Sequence, residues 1–335
     1  KIDIIYLDLQ KAFDQVPHDL LIYKLKKTGI TGNLLNWLQD FLLGRTFKVR
    51  INQKFSNEFP AKSGVPQGSV LGPILFLIFI NDLPEKIPKE ISIKLFADDT
   101  KIYHCYSNES QRKVLETALI SVFNWAETWG LYFSVKKSSV LYLGKNKKKI
   151  PYTIKHATIP ESKIIRDLGI LIDNKLKFNE QFSIILQKAY LKSRILFKKI
   201  KTKSTKTWIT VYKSFIRPLL EYATEIWNPR TKKEINRLEN FQKNFTKNVF
   251  RKCCLPYISY SERLKFLKLS KLETRRKYLD IITAFKIIKN TTHLNPKNLY
   301  NFSNRKITFI LVTKRKITKT EHSFTNRTTK HLQEI

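Results

Sequence analysis

"KLFADDTKIY", residues 94–103, sets Asp98 and Asp99 side by side between two short runs that alternate as β-strands do. An isolated Asp-Asp at a hairpin tip is usually a turn former. A third carboxylate changes the reading. Asp8 closes the Ile- and Leu-rich run "KIDIIYLDL", residues 1–9, and two neighbouring strands of one sheet would bring it beside the 98–99 tip. Three carboxylates converging at strand ends repel one another unless divalent cations sit among them. Two such ions about 3.5 to 4 Å apart can activate an attacking hydroxyl and stabilise the leaving oxygen of an in-line phosphoryl displacement.

The rest of the chain has a different character. Its 335 residues hold 63 Lys+Arg against 27 Asp+Glu, a net charge of +36, with 42% hydrophobic and 12% aromatic residues. That is enough apolar material for a sizeable core, and the length predicts two or three domains. The first 100 residues hold 13 Lys+Arg and 11 Asp+Glu, so the other 235 carry +34 of the net charge. Such an excess repels itself unless a polyanion neutralises it, and nucleic acid is the commonest partner, with an anionic membrane surface second. The longest apolar run, Val70 to Ile80, falls short of the ~20 residues a spanning helix needs, so no membrane partner is expected. Cys105 and the adjacent Cys253 and Cys254 make neither a disulfide framework nor a C-x-x-C metal site, which predicts a reduced, intracellular protein. The chain opens on Lys1 and contains no methionine, and it reads as a fragment of something longer.

Periodicity predicts mixed α/β structure first and helices later. "KAFDQVPHDLLIYKLKKTGI" has helical spacing through Leu20, Leu21 and Leu25 up to Gly29, and "NLLNWLQDFLLG" gives a second helix. "TFKVRINQKFSNEFPAKSG" alternates as a hairpin with Asn52 and Gln53 near its turn, and "ISIKLFADDTKIY" forms another. Farther on, Trp208, Val211, Tyr212, Phe215, Leu219, Ala223 and Ile226 recur at 3.6-residue spacing, and "INRLENFQKNFTKNVF" continues likewise. "SYSE", Ser259 to Glu262, is spaced as a capping box, and the last thirty-odd residues read as a loosely ordered tail.

"YLDLQKAFDQVPH", "SGVPQGSVLGPILFLIFINDLP", "LFADDTKIY", "GLYFSVKKSSVLYLG" and "RDLGILID" stand in the order and spacing of a reverse transcriptase palm. They most resemble that of non-LTR, LINE-type, jockey-like retrotransposons, and the likeness covers about residues 1–290. Each motif alone is weak; five in order are specific. The resemblance implies an α+β right-hand polymerase: a palm of antiparallel sheet and packed helices over residues 1–175, a helical thumb over 176–255, and a basic helical extension with a loose tail over 256–335. It implies RNA-directed DNA polymerase activity, with an RNA template, a DNA primer, dNTPs and two Mg²⁺ ions, Mn²⁺ being the substitute. The fingers and an endonuclease domain would lie outside the chain, and target-primed integration implies a nuclear location.

By resemblance Asp8 and Asp98 are the principal metal ligands, the Leu9 carbonyl assists, and Asp99 completes the catalytic trio. Backbone amides from Leu9 through Gln10 to Phe13 would face the incoming triphosphate. Phe13 matches the steric gate against a ribose 2′-hydroxyl, where the residue alone reads as a core aromatic. Gln67 and Gly68 match the segment lining nucleotide and template; alone, "GVPQG" is a turn. Lys137 matches a lysine near the leaving pyrophosphate, with Lys136 as the adjacent alternative and a solvated charge as the ordinary reading. Leu168 and Gly169 match the hairpin that positions the primer end, and Asp14 reads as a local cap or ion-pair partner. The rival functions are a catalytically inactive, truncated element product that only binds nucleic acid, and a two-metal nuclease, in which the "VPQG" loop and the aromatic after Asp8 have no obvious use.

Overall fold

The computed structural model describes residues 1–144, 149–302, 309–311 and 323–333. The chain divides into two compact units: residues 1–166 with 173–176, and residues 167–172 with 177–335.

The first unit is built on strand β1 (Ile2–Asp8), whose alternation buries Asp3, Ile5 and Leu7 on one face. Helices α1 (Ala12–Gln15), α2 (His18–Lys27) and α3 (Gly32–Leu42) follow. The helical pattern predicted through Pro17 breaks there: Val16 and Pro17 are extended, because proline lacks an N–H and disfavours helix in the residue before it. The predicted hairpin near Asn52 comprises four two-residue strands, β2 (Thr46–Phe47), β3 (Arg50–Ile51), β4 (Lys54–Phe55) and β5 (Phe59–Pro60), with β2 paired to β5 and β3 to β4. The apolar run after "VPQGS" is helix α4 (Leu71–Ile80).

Strands β6 (Ser92–Phe96) and β7 (Asp99–Cys105) form the carboxylate hairpin; helix α5 (Glu109–Thr128) starts at Asn108, whose side chain accepts from the Gln111 amide at 2.9 Å, and strand β8 (Ser139–Leu143) follows. The sheet order is β6-β7-β1-β8, antiparallel throughout, so the first strand of the chain lies inside the sheet. Ile5, Ile102 and Val140 from its strands, Phe76 and Phe79 from α4, and Leu115, Leu119 and Val122 from α5 belong to one buried core. Short strands β9 (Thr153–Ile154) and β10 (Ala157–Thr158) pair, as do β11 (Ile164–Asp167) and β12 (Ile170–Asp173).

The second unit is mainly helical: α6 (Asn179–Lys199), α7 (Thr205–Val211), α8 (Arg217–Glu221), α9 (Thr224–Trp227), α10 (Lys232–Lys252), α11 (Tyr260–Phe266) and α12 (Leu272–Ile288). The continuous spacing predicted from Trp208 to Ile226 is interrupted by a π turn, Tyr212–Ile216. Pro218 has no N–H for the preceding turn, and one extra residue enters the helix. The buried face then moves by one position: Ile216, Leu220 and Trp227 are in the core, whereas Phe215 and Ile226 are exposed. Capping boxes open α10, from Thr231 to Glu234, and α11, from Ser259 to Glu262 as predicted.

Strands β13 (Tyr300–Phe302) and β14 (Phe309–Leu311) precede helix α13 (Phe324–Gln333). That helix occupies a stretch predicted to be loose. Arg327 from it forms an ion pair with the fully buried Asp280 at 2.9 Å, and Thr328 hydrogen-bonds the Tyr300 hydroxyl at 2.9 Å. The rest of the predicted tail lies outside the described residues. Among the described residues no helix is long and apolar enough to cross a membrane.

Candidate active site

Strand register puts the carboxylates together. Asp8, the last residue of β1, lies directly opposite Asp99, the first residue of β7, and the β6–β7 turn between Phe96 and Asp99 consists of Ala97 and Asp98. Ala97 has φ +50°, a left-handed conformation that a non-glycine residue adopts at some cost in strain, and it makes this two-residue turn possible. Like charges directly opposite across a strand pair repel.

On the other side of β1 a tight turn holds Asp8 by its backbone. The Ser134 amide donates to the Asp8 carbonyl at 2.8 Å, and the Asp8 amide donates to the Ser138 hydroxyl at 3.3 Å. Leu9 pairs with Phe133, and the Gln10 amide donates to the Tyr132 carbonyl at 2.8 Å, so that amide is already engaged. The Asp8 side chain is 43% exposed, yet its Oδ2 is shielded and accepts no hydrogen bond. The Lys137 ammonium stands 3.8 Å from that oxygen, on a side chain 73% exposed. An ion pair this open to water contributes little stability. Among the described residues Lys137, and not its neighbour Lys136, makes this ion pair.

Phe13 and Gln67 are brought together by stitching between α1 and the "SGVPQG" segment. The Val65 amide donates to the Phe13 carbonyl and the Gly64 amide to the Val16 carbonyl, each at 2.8 Å. Gly64 has φ +86°, and a Cβ there would sit 2.7 Å from the Asp14 carbonyl oxygen, so only glycine fits. The Gln67 side-chain amide donates to the Asp14 carboxylate at 2.8 Å. Asp14, read from sequence as a local cap or ion-pair partner, is thus the anchor of Gln67. The half-buried Phe13 ring stacks on Phe76 with centroids 4.6 Å apart and packs against the core. Gly68 is exposed at φ +83°, with open space where a Cβ would be.

Leu168 and Gly169 form the turn of the β11–β12 hairpin, at φ +45° and +86°. The Tyr222 hydroxyl donates to the Leu168 carbonyl at 2.9 Å and holds that turn. Sequence reading missed the roles of Ser134, Ser138 and Tyr222. Serine in a turn and tyrosine just past a helix end carry no pattern that announces a distant backbone partner.

Among the described residues no group of three or more His, Cys, Asp or Glu side chains is gathered closely enough to hold a metal ion. The donors still suit a hard divalent cation: carboxylate oxygens, two of the three groups opposite one another in register, and a shielded Asp8 oxygen without a hydrogen bond.

The family profile "Reverse transcriptase (RNA-dependent DNA polymerase)" matches residues 3–172. The "Probable RNA-directed DNA polymerase from transposon X-element" of Drosophila melanogaster is 28% identical over 246 residues, covering 71% of this chain and 27% of that protein. The "RNA-directed DNA polymerase from mobile element jockey" of the same organism is 29% identical over 249 residues, again 71% and 27%. The chain therefore spans about a quarter of the length of these relatives. Among solved structures, telomerase from Candida albicans aligns at 12% identity and a TM-score of 0.42, over 81% of this chain and 51% of that one. The matched segment contains the strands and turns that carry Asp8, Asp98 and Asp99, and the chain belongs to the reverse transcriptase family, in its LINE-type, non-LTR retrotransposon branch.

Proposed function

We propose that this chain is the palm, thumb and basic extension of an RNA-directed DNA polymerase that adds dNTPs to a DNA primer on an RNA template. The palm is residues 1–175, the thumb 176–255 and the extension 256–335, working with fingers supplied upstream. The observation that carries the reading is the cross-strand Asp8 and Asp99 pair with Asp98 in the adjoining turn, in a chain of net charge +36.

Asp8, Asp98 and Asp99, with the Leu9 carbonyl, would hold two Mg²⁺ ions. When bound, these supply charge neutralisation for the attacking primer hydroxyl and for the leaving pyrophosphate. Lys137, with an exposed ammonium beside Asp8, gives its proton to the leaving pyrophosphate. Phe13 is held by its stack on Phe76, and its ring takes the space of a ribose 2′-hydroxyl. Gln67, fixed by Asp14, and Gly68, with its open backbone, line the nucleotide and template. The Leu168 and Gly169 turn positions the primer end.

The test is extension of a DNA primer on RNA, with dNTPs and Mg²⁺, by residues 1–335 and by the same residues placed behind the fingers of a related element. Steady growth with the fingers and weak growth without them is expected, since reacting groups misplaced by about 1 Å lose roughly 10² in rate. Equal rates remove the need for fingers. A primer that keeps its length in both overturns the polymerase reading in favour of nucleic-acid binding alone, and one that shortens points to a nuclease.

A further inference from the structure

Within the second unit, α6 and α10 line an open concavity of about 540 Å³. This lies in the range of roughly 300–1,000 Å³ common to sites for small molecules. From α6 come Tyr190, Ser193, Arg194 and Phe197, at the i, i+3, i+4, i+7 spacing of one helix face. From α10 come Asn248, Arg251 and Lys252, again one face.

The rings in this wall are fixed from behind. Tyr190 meets the buried Phe241 edge-on at 4.8 Å, and Phe197 stacks on the buried Trp208 at 4.4 Å and packs near Phe245 at 5.1 Å. Tyr190 nevertheless leaves 44% of its surface open. The cations are unpaired: among the described residues Arg194, Arg251 and Lys252 have no carboxylate partner, and no acid lines the cavity. Three other arginines of the same unit do pair with acids, Arg217 and Arg275 with Glu221 and Arg327 with Asp280.

The ordinary account is that basic residues in a last helical turn offset the helix dipole. It covers Arg251 and Lys252, which end α10. It does not cover Arg194, which precedes the last turn of α6, or an open aromatic ring in the same concavity. Guanidinium forks match phosphate oxygens, and an exposed ring offers a face on which a base can stack. A paired base buries its faces in the duplex, so only an unpaired nucleotide can present phosphate and base to one pocket together.

We propose that this pocket binds one unpaired nucleotide of a single-stranded segment, with the phosphate on Arg194, Arg251 and Lys252 and the base on Tyr190. Asn248 and Ser193 are the polar groups within reach of its edges. The proposal stands apart from the carboxylate centre and holds whether or not that centre catalyses.

The test titrates the full chain with an RNA hairpin carrying 2-aminopurine in its unpaired loop, a fully paired RNA of equal length, and the DNA version of the hairpin. Tyr190→Ala should weaken loop binding roughly tenfold and abolish the quenching of 2-aminopurine, while paired RNA is held as before and Tyr190→Phe restores both signals. Arg194→Gln, at an exposed position, should weaken loop binding and lower its salt slope by about one. A DNA loop bound as tightly supports base and phosphate as the only determinants; tighter RNA binding supports the same pocket with the 2′-hydroxyl added. Loop and duplex weakened equally, or loop binding unchanged in both Tyr190→Ala and Arg194→Gln, overturns the proposal.

Discussion

Strand β1 carries two aspartates, five residues apart, in opposite environments. Asp3 is 0% exposed; its Oδ2 accepts the Tyr106 hydroxyl at 2.9 Å and the Tyr152 hydroxyl at 2.8 Å, and the Arg112 guanidinium stands 3.7 Å away. Asp8 is 43% exposed and faces another carboxylate, Asp99, and its one ion-pair partner among the described residues is the loose Lys137. Each has one oxygen without a hydrogen bond, so that feature alone does not separate them. Their neighbours do. Asp3 sits among neutral donors and a cation that make a buried charge tolerable, and it belongs to the stability of the sheet. Asp8 sits at the sheet end opposite a second carboxylate, where like charges repel and a divalent cation would relieve the repulsion.

The contrast can be broken from either end. The largest effect is expected for Asp98→Asn in the polymerase with fingers present: loss of several kcal/mol of transition-state stabilisation, about 10³ in extension rate, with template binding and melting temperature kept. Extension within a few-fold of wild type would remove Asp98 from the centre. Next comes Asp3→Ala, which leaves Glu116 as the one acid paired with Arg112 among the described residues and removes the carboxylate that accepts from Tyr106 and Tyr152; unfolding in urea should show a loss of about 3–5 kcal/mol. A loss under about 1 kcal/mol would mean the Asp3 cluster is no anchor.

Tyr152→Phe should cost only about 1 kcal/mol at neutral pH, and it sharpens the contrast through pH. Burial and the Asp3 charge push the Tyr152 phenol well above its usual range, and burial pushes Tyr142 up to about 12. A folded-state pKa above the unfolded value gives stability that is complete below about pH 10 and falls as pH rises beyond it. Wild-type stability should therefore decline above about pH 10, and less steeply in Tyr152→Phe. Identical slopes would detach the phenol from the Asp3 cluster.

Much of the site was legible because it follows strand ends. Alternation located β1 and the 98–99 hairpin, and three acids at their tips pointed to one sheet end. What pattern reading missed lies in tertiary detail. Asp3 differs from any strand aspartate only through Tyr106, Arg112 and Tyr152, which arrive from distant elements. Nothing in "VKKS" separates Lys136 from Lys137 until the turn after Phe133 is closed by Ser134 and Ser138. Gln67 meets Asp14 only once Gly64 allows close backbone approach. The π turn before Pro218 shifted the core face by one residue, which a fixed 3.6 period cannot follow.

The central claim is that the Asp8 end of β1 is a cation site and the Asp3 end is not. Mn²⁺ binding to the full chain, followed by its electron paramagnetic resonance signal with a dNTP present, tests it in wild type, Asp8→Asn and Tyr152→Phe. Asp8→Asn should weaken Mn²⁺ binding by more than the roughly 10–100-fold that loss of an outer-shell partner costs, while Tyr152→Phe binds as wild type does. Equal Mn²⁺ affinity in wild type and Asp8→Asn would contradict the account.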